Sequence, residues 1–410
     1  MNLAARVPAR SRAFFRAALW DAAGGGVVGG VFGTFVGVAA YRLGASPFLL
    51  TVLSIAPFIG LLASVPMSRL AYRFAWAHLA GLTRIAGRVV LLAFAPVTGA
   101  GAFVWLASGI SALQAAGAGF FDSLMQSHVR TPVRAPLLRW MRILPVALSL
   151  PAAWAAGVFL DADHAAYRWL FPAVGLLSAF TCAGLLFLPR RPLETQTDGR
   201  RVGLLAEVRI LNRDRAFLVF MLVYFVGTLG EKLTGPSTPM YLVDQLHLSN
   251  SQIAMATGIA GPAAGIAGYL LWARLLSRVH PLFVLTFCMT AKALRPILWA
   301  LAAYSPHPLA ILAAAEISFA LLIAGLDLAG LVCVLRMVRG DQGPLYLGIH
   351  YGFMGVRGLI GPVIGLWLYN AGVPMADIFW ITAGIVLVGG LALWVFVRRY
   401  LARPAPPAGE

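Results

Sequence analysis

SPFLLTVLSIAPFIGLLASVPMSRLAYR, from Ser46 to Arg73, has a counterpart 205 residues later in SQIAMATGIAGPAAGIAGYLLWARLLSR, from Ser251 to Arg278. At that offset Ser46 meets Ser251, Pro57 meets Pro262, Gly60 meets Gly265, Arg69 meets Arg274 and Arg73 meets Arg278, and further along Asp122 meets Asp327. One register serves both ends of each half. In a chain that is 60% hydrophobic, a duplication of this length predicts two membrane bundles related by an internal pseudo-symmetry axis.

Composition sets the solvent. Only 11% of the residues are charged, against roughly 25% in an average soluble domain, and the mean hydropathy is strongly positive. A chain of 410 residues holds about twelve segments of ~20 to 25 residues, the length a helix needs to cross the hydrocarbon. A transmembrane barrel would instead alternate over ~10 residues. The formal charge of +17 does not point to nucleic acid, because the arginines collect in alternating loops. They lie before the first span (Arg6, Arg10, Arg12, Arg16), at Arg69 and Arg73, at Arg130, Arg134 and Arg139, and in the central connection. The series resumes at Arg274 and Arg278, at Arg336 and Arg339, and at Arg398, Arg399 and Arg403. The intervening loops carry little beyond Arg42 and Arg168, with Asp161, Asp163, Asp244 and Asp377 on that side. Basic loops stay in the cytoplasm, so both termini are expected there and the number of spans is even. The arginine-rich N-terminus followed by an apolar run resembles a signal peptide, but the run is too long and lacks an evident cleavage site, so it reads as the first span. Cys182, Cys288 and Cys333 fall in three different apolar segments, which disfavours disulfides and a metal site.

Apolar runs and turn residues place the spans near 17–41, 47–71, 80–99, 102–128, 139–160 and 167–188, then 217–242, 250–275, 281–304, 308–335, 344–370 and 376–398. The resulting plan is an all-α polytopic membrane protein. An N-terminal six-helix bundle (1–188) is followed by a polar cytoplasmic linker (189–215) with an amphipathic stretch from Gly203 to Leu211. A C-terminal six-helix bundle (216–400) and a disordered tail (401–410) complete it.

Six plus six helices, cytoplasmic termini, a basic central loop and a basic loop after the second helix of each half resemble the major facilitator superfamily. The resemblance covers essentially the whole chain. The family's loop signature, similar to G-x-x-x-D-R-x-G-R-R, is degenerate: PMSRLAYRF (Pro66 to Phe74) and LLWARLLSRV (Leu270 to Val279) keep arginines, but Ser68 and Ala273 replace the acid. The resemblance implies a fold of twelve transmembrane helices in two pseudo-symmetric bundles, and alternating access as its mode of action.

Several constellations are candidates for chemistry. Arg69 and Asp122 lie at similar cytoplasmic depth in the second and fourth spans, and the repeat copies them as Arg274 with Asp327. They read as two gating charge pairs, or as static pairs near the headgroups. The first span carries Gly25, Gly29, Gly33 and Gly37 at a four-residue period, which reads foremost as a helix-packing stripe and otherwise as a substrate contact; Asp21 reads as interfacial. In the seventh span VGTLGEKLTGPSTP (Val226 to Pro239) implies a broken helix, with Tyr224, Thr228, Glu231, Gly235 and Thr238 on one polar face along the path and Lys232 beside it. Otherwise Glu231 and Lys232 snorkel to the headgroups. Lys292, Arg295, Glu316, His350 and Arg357 add ionisable groups to the second half, and charges at that depth must pair or face water. The resemblance favours Glu231, Glu316 and Arg357 for the cavity, with Lys292 and Arg295 as partners of Glu316. The first half offers Gln114, with Arg88 and Arg142 placed as snorkelling side chains. GVRGLIGPVIG (Gly355 to Gly365) resembles the glycine and proline spacing of the family's exporters, but in the pseudo-symmetric partner helix, so it supports bending only.

The expectation is a secondary active transporter of a small organic solute, amphipathic or anionic in character, coupled to protons through Glu231 and Glu316. It would sit as a monomer in the inner (plasma) membrane, with the proton gradient as driving force and neither metal nor cofactor. A membrane enzyme would need converging ligand or nucleophile residues, and the seven histidines show no paired spacing. A non-transporting receptor or scaffold, or a lipid-handling protein on the same fold, is the alternative.

Overall fold

The computed structural model describes residues 9–74, 79–128, 131–188, 210–338 and 343–402. Their regular elements are all helical, as a chain in hydrocarbon requires if its backbone donors and acceptors are to find partners within one segment. The first half contains α1 (Ala9–Val28, a π-helical Gly29–Gly33, then Thr34–Arg42), α2 (Pro47–Phe74), α3 (Leu79–Val89 with a 3-10 extension Val90–Phe94), α4 (Ala100–His128), α5 (Thr131–Ala162) and α6 (Tyr167–Ala183). The second half contains α7 (Arg215–Leu233, Ser237–Met240 and a π-helical Tyr241–Gln245), α8 (Asn250–Ile253, a π-helical Ala254–Ala260, Gly261–Leu275) and α9 (Pro281–Ala291 and Leu294–Ala302). It closes with α10 (Pro308–Arg336), α11 (Gly343–Asn370) and α12 (Met375–Leu401). Ten of these rods are long and apolar enough to cross a membrane; α3 and α6 are the two shorter members. Most of the proposed linker and tail lie outside the described residues.

Proline decides where two of the rods break. A proline lacks the N–H that would reach the carbonyl four residues back and its ring collides with that carbonyl. Pro236 disrupts α7 at Lys232, and Pro296 disrupts α9 at Lys292. The two lysines of the chain therefore each stand where a half-helix ends, beside the partial negative charge of its C-terminus.

The packing of α1 corrects the expectation for its glycines. Gly24, Gly26 and Gly30 meet their neighbours: a Cβ on Gly26 would lie 2.3 Å from the Pro145 carbonyl oxygen and one on Gly30 2.4 Å from that of Ser149. Gly29 and Gly33 have nothing within 4 Å of such a Cβ. A four-residue period drifts about 40° per step on a 3.6-residue helix, and the π-turn at Gly29–Gly33 shifts it again. The stripe is thus not the packing face.

Asp21 and Arg88 depart from their expected surface roles as well. Asp21 is 1% exposed and holds Arg88 at 2.6 Å and Arg84 at 2.5 Å. Arg88 further donates to the Ser178 carbonyl at 2.7 Å, so one carboxylate ties α1, α3 and α6 together. Three outcomes follow for apparent melting temperature in detergent. Gly30→Ala should destabilise by about 1 to 3 kcal/mol through overpacking, whereas Gly29→Ala stays within roughly 0.5 kcal/mol of the parent. Asp21→Asn, which strands the buried Arg88, should destabilise by about 3 to 5 kcal/mol.

Candidate functional site

A cavity of about 420 Å³ lies between the two halves. The first half contributes Gly33, Thr34 and Gly37 of α1 and Leu50, Leu53 and Ser54 of α2; the second contributes Gly235, Thr238 and Pro239 of α7, Thr257 of α8, Arg295 and Trp299 of α9, and Glu316 of α10. All three π-helical turns border it, through Gly33, Leu242 and Thr257. A π-turn widens a helix locally and leaves backbone groups out of the regular ladder, which makes it a common feature of binding sites. Of the two glycines of the α1 stripe that reach the cavity, Gly33 leaves room there and Gly37 packs against Pro239 of α7, where a Cβ would lie 3.0 Å from the ring.

One ion pair is built into the cavity wall. Arg295 Nε donates to Glu316 Oε1 at 2.8 Å and Trp299 Nε1 donates to the same oxygen at 2.9 Å. The Arg295 guanidinium lies 4.5 Å from the Phe319 ring centroid and 5.2 Å from that of Trp299. Glu316 is 8% exposed, so the pair is shielded on one side and open to the cavity on the other. A second pair lies deeper in the bundle: Lys292 Nζ stands 2.6 Å from Glu231 Oε1. Their alignment is that of an ion contact and not of a directed hydrogen bond. Lys292 was expected to accompany Arg295 on Glu316; the break before Pro296 separates them, and each cation takes its own carboxylate.

The polar face expected on α7 is divided by its break. Gly235 and Thr238 reach the cavity. Below it, Thr228 and Tyr224 are buried against α11: Arg357 Nη1 donates to Thr228 Oγ1, and Arg357 lies 5.8 Å from the Tyr224 ring centroid. Thr228 passes its own hydroxyl proton to the Tyr224 carbonyl at 2.6 Å. His350, two turns before Arg357, packs 5.5 Å from the other reach of the same ring. Lys232 rests 5.3 Å from the Phe58 ring of α2. Gln114 is exposed on α4 and packs beside Gly87 of α3, away from the residues that line the cavity.

Of the expected gating pairs, the side chains of Arg69 and Asp122 lie outside the described residues. In the second half Arg274 and Asp327 are not joined by an ion pair; Asp327 instead accepts a hydrogen bond from Tyr269 at 3.0 Å. Trp299, Thr34, Ser54 and Thr257 were missed, because single hydroxyls and a tryptophan in an apolar helix carry no periodic signal.

At the arginine-poor end, where Asp161 and Asp244 were read only as markers of side, the halves are joined. Asp161 at the end of α5 accepts the backbone N–H of Asn250 at 2.6 Å and of Ser251 at 3.0 Å, the first donors of α8. Tyr41 donates to Asp244, and Arg42 reaches the Leu248 carbonyl at 3.4 Å. Apolar packing crosses with them: Met240 and Ala254 sit in the core of the first half and Val38 in that of the second.

The Major Facilitator Superfamily model matches residues 220–410. No curated protein matches the chain by sequence. Among solved structures, the nucleoside transporter NupG is similar at 15% identity and a TM-score of 0.69, over 97% of this chain and 100% of that one. A bacterial homologue of the human lysosomal transporter Spinster, in an inward-facing and unoccupied conformation, is similar at 13% identity and a TM-score of 0.72, over 98% and 99% of the two chains. A D-xylose–proton symporter is similar at 11% identity and a TM-score of 0.67, over 94% and 96%. The family's pattern is thus matched in the second half, and the fold of these transporters extends over nearly the whole chain.

Proposed function

We propose that this chain is a secondary active transporter that carries a small organic solute by alternating access. The observation that carries the reading is a cavity lined by both halves, with contacts between the halves closing its arginine-poor end. By charge placement that end faces outward, both termini lie in the cytoplasm, and the chain works as a monomer in the inner membrane. An inter-bundle site that one end can close while the other opens is what alternating access requires, since the solute must enter and leave by opposite faces as the bundles rock.

Proton coupling is assigned to Glu231 and Glu316. Both are shielded from bulk water and each is held by a single cation, Lys292 or Arg295. Protonation would release that cation and loosen α7 from α9 or α9 from α10, so a proton can alter the packing of the second bundle. A panel of organic solutes tested for thermal stabilisation of the detergent-solubilised protein, followed by flux in proteoliposomes with and without a pH gradient, tests the function. Glu231→Gln and Glu316→Gln should each remove the effect of the gradient while solute exchange continues. Coupling that survives in both variants rejects the proton assignment.

The closed end supplies a separate expectation. Removing a side chain that caps a helix costs about 1 kcal/mol, which moves a two-state equilibrium roughly fivefold. Asp161→Ala should therefore raise, by about that factor, the rate at which an impermeant maleimide applied from the arginine-poor side labels Ser54→Cys in the cavity. The three native cysteines are buried and contribute no background. An unchanged labelling rate would show that Asp161 does not hold the closure.

A further inference from the structure

The second half holds more buried cations than it can pair. Glu231 neutralises Lys292 and Glu316 neutralises Arg295, and this leaves Arg357 and Lys232 with no carboxylate at ion-pair distance among the described residues and only the longer-range field of Glu231. Arg357 is 7% exposed, and its Nε has no hydrogen-bond partner. A guanidinium in that position is severely unfavourable unless something supplies negative charge during the working cycle.

The two cations stand one above the other on the approach to the cavity. Gly361 lies one helical turn beyond Arg357 on α11, and a Cβ there would be 2.3 Å from Lys232 Cβ. On α7, Thr228, which receives Arg357, lies one turn before Lys232, and Gly235 and Thr238 at the cavity follow within two further turns. On α2, Phe58 beneath the Lys232 ammonium lies one turn after Ser54, which lines the cavity. Cavity, Lys232, Arg357 and then His350 thus form a descending series toward the arginine-rich end, in steps of about 5 Å for each turn. The His350 Nδ1 is also without a partner, and the ring is 8% exposed. The break in α7 gives Lys232 part of a negative charge from the helix C-terminus; Arg357 has only the longer-range field of Glu231, a carboxylate already in contact with Lys292.

From this we infer that the solute is an organic oxyanion, a carboxylate or a phosphate ester, whose charged group is received by Arg357 and Lys232. The inference rests on the transport reading for its cycle but not for its binding site. A cation is repelled along this series, and a neutral solute leaves Arg357 without a contacting counter-charge. An oxyanion satisfies the free Nε and the ammonium together, and its organic body finds Phe58, Leu62 and the apolar first-half wall of the cavity.

The test measures binding by thermal shift on the purified full chain, with benzoate, succinate and glycerol 3-phosphate as probes and xylose and uridine as neutral controls. At least one oxyanion should stabilise the parent saturably where the neutral solutes do not, the carboxylate and phosphate arms deciding between the two classes. Arg357→Gln should weaken that binding roughly ten- to hundredfold, the loss of a charge-assisted contact, and Arg357→Lys should recover most of it. Lys232→Gln, at a less buried position, serves as the second variant if Arg357→Gln does not fold, and should weaken binding severalfold. Stabilisation by no oxyanion, stabilisation by a neutral solute alone, or equal oxyanion binding in the parent and both neutralised variants overturns the inference. Oxyanion binding that needs Arg357, without flux in proteoliposomes, leaves the site standing and removes the transport reading.

Discussion

The cavity exists because a carboxylate of one bundle terminates a helix of the other. The first backbone N–H groups of any α-helix lack an internal acceptor, and in α8 each has been found a partner. Ser249 accepts from Gln252, the Gln252 side chain accepts from the Ser249 backbone, and Asp161 takes the Asn250 and Ser251 donors that lie between. Two bundles that share a helix cap cannot separate there without exposing two donors and an aspartate to a new environment. Small residues allow the approach: a Cβ on Gly157 would lie 3.0 Å from that of Ala254, and one on Gly258 2.8 Å from that of Ala153. With α5 and α8 fixed in this way, α1 and α7 meet at Gly37 and Pro239, and the space below them is enclosed.

Charge in the second bundle follows from backbone geometry as much as from side chains. A proline four residues downstream of each lysine ends a helix at that lysine, and a half-helix C-terminus inside the membrane is a place where an ammonium is favoured. Glu231 and Glu316 then divide the cations between them. The first bundle has its own set in the buried Asp21 and Arg88 with the partly exposed Arg84, but that set is used to lock three helices. It does not border the cavity, so the wall facing the ion pair of Arg295 and Glu316 is made of glycine, threonine, serine, valine and leucine.

The fold was legible because its signals are long. Long apolar runs separated by arginines place the spans, although α1 and α5 begin eight residues before the expected 17 and 139, and the 205-residue register predicts their symmetry. Glu231, Glu316 and Arg357 were legible as anomalies, being costly where they stand. Their partners were not. The choice of Lys292 for Glu231 depends on the break at Pro296, which turns Lys292 and Arg295 to different neighbours, and no periodicity contains that rotation. The glycines of α1 misled for a related reason: the four-residue spacing suggests a face, but the π-turn and the drift of the helix direct Gly29 and Gly33 to open space while Gly24, Gly26 and Gly30 take the close contacts. Asp161 was read only as a marker of side, because a cap formed across two bundles leaves no local trace in either.

The pseudo-symmetry carries α5 onto α11 and α8 onto α2, so the joint between α5 and α8 has an equivalent between α2 and α11. That second joint is also built on glycine, with a Cβ on Gly355 or Gly358 falling 2.4 Å from Leu62 or 2.0 Å from Phe58. The chemistry of the two joints differs. The α5–α8 joint is closed by a carboxylate on backbone donors, groups that water can replace at modest cost when the joint opens. The α2–α11 joint is closed by leucine and phenylalanine against glycine, a contact that water opposes and that lipid-like surroundings leave nearly neutral. A duplicated frame thus acquires two unlike closures, one sensitive to hydration and one to packing. Such a difference allows a solute that enters between the bundles to favour opening at one end over the other.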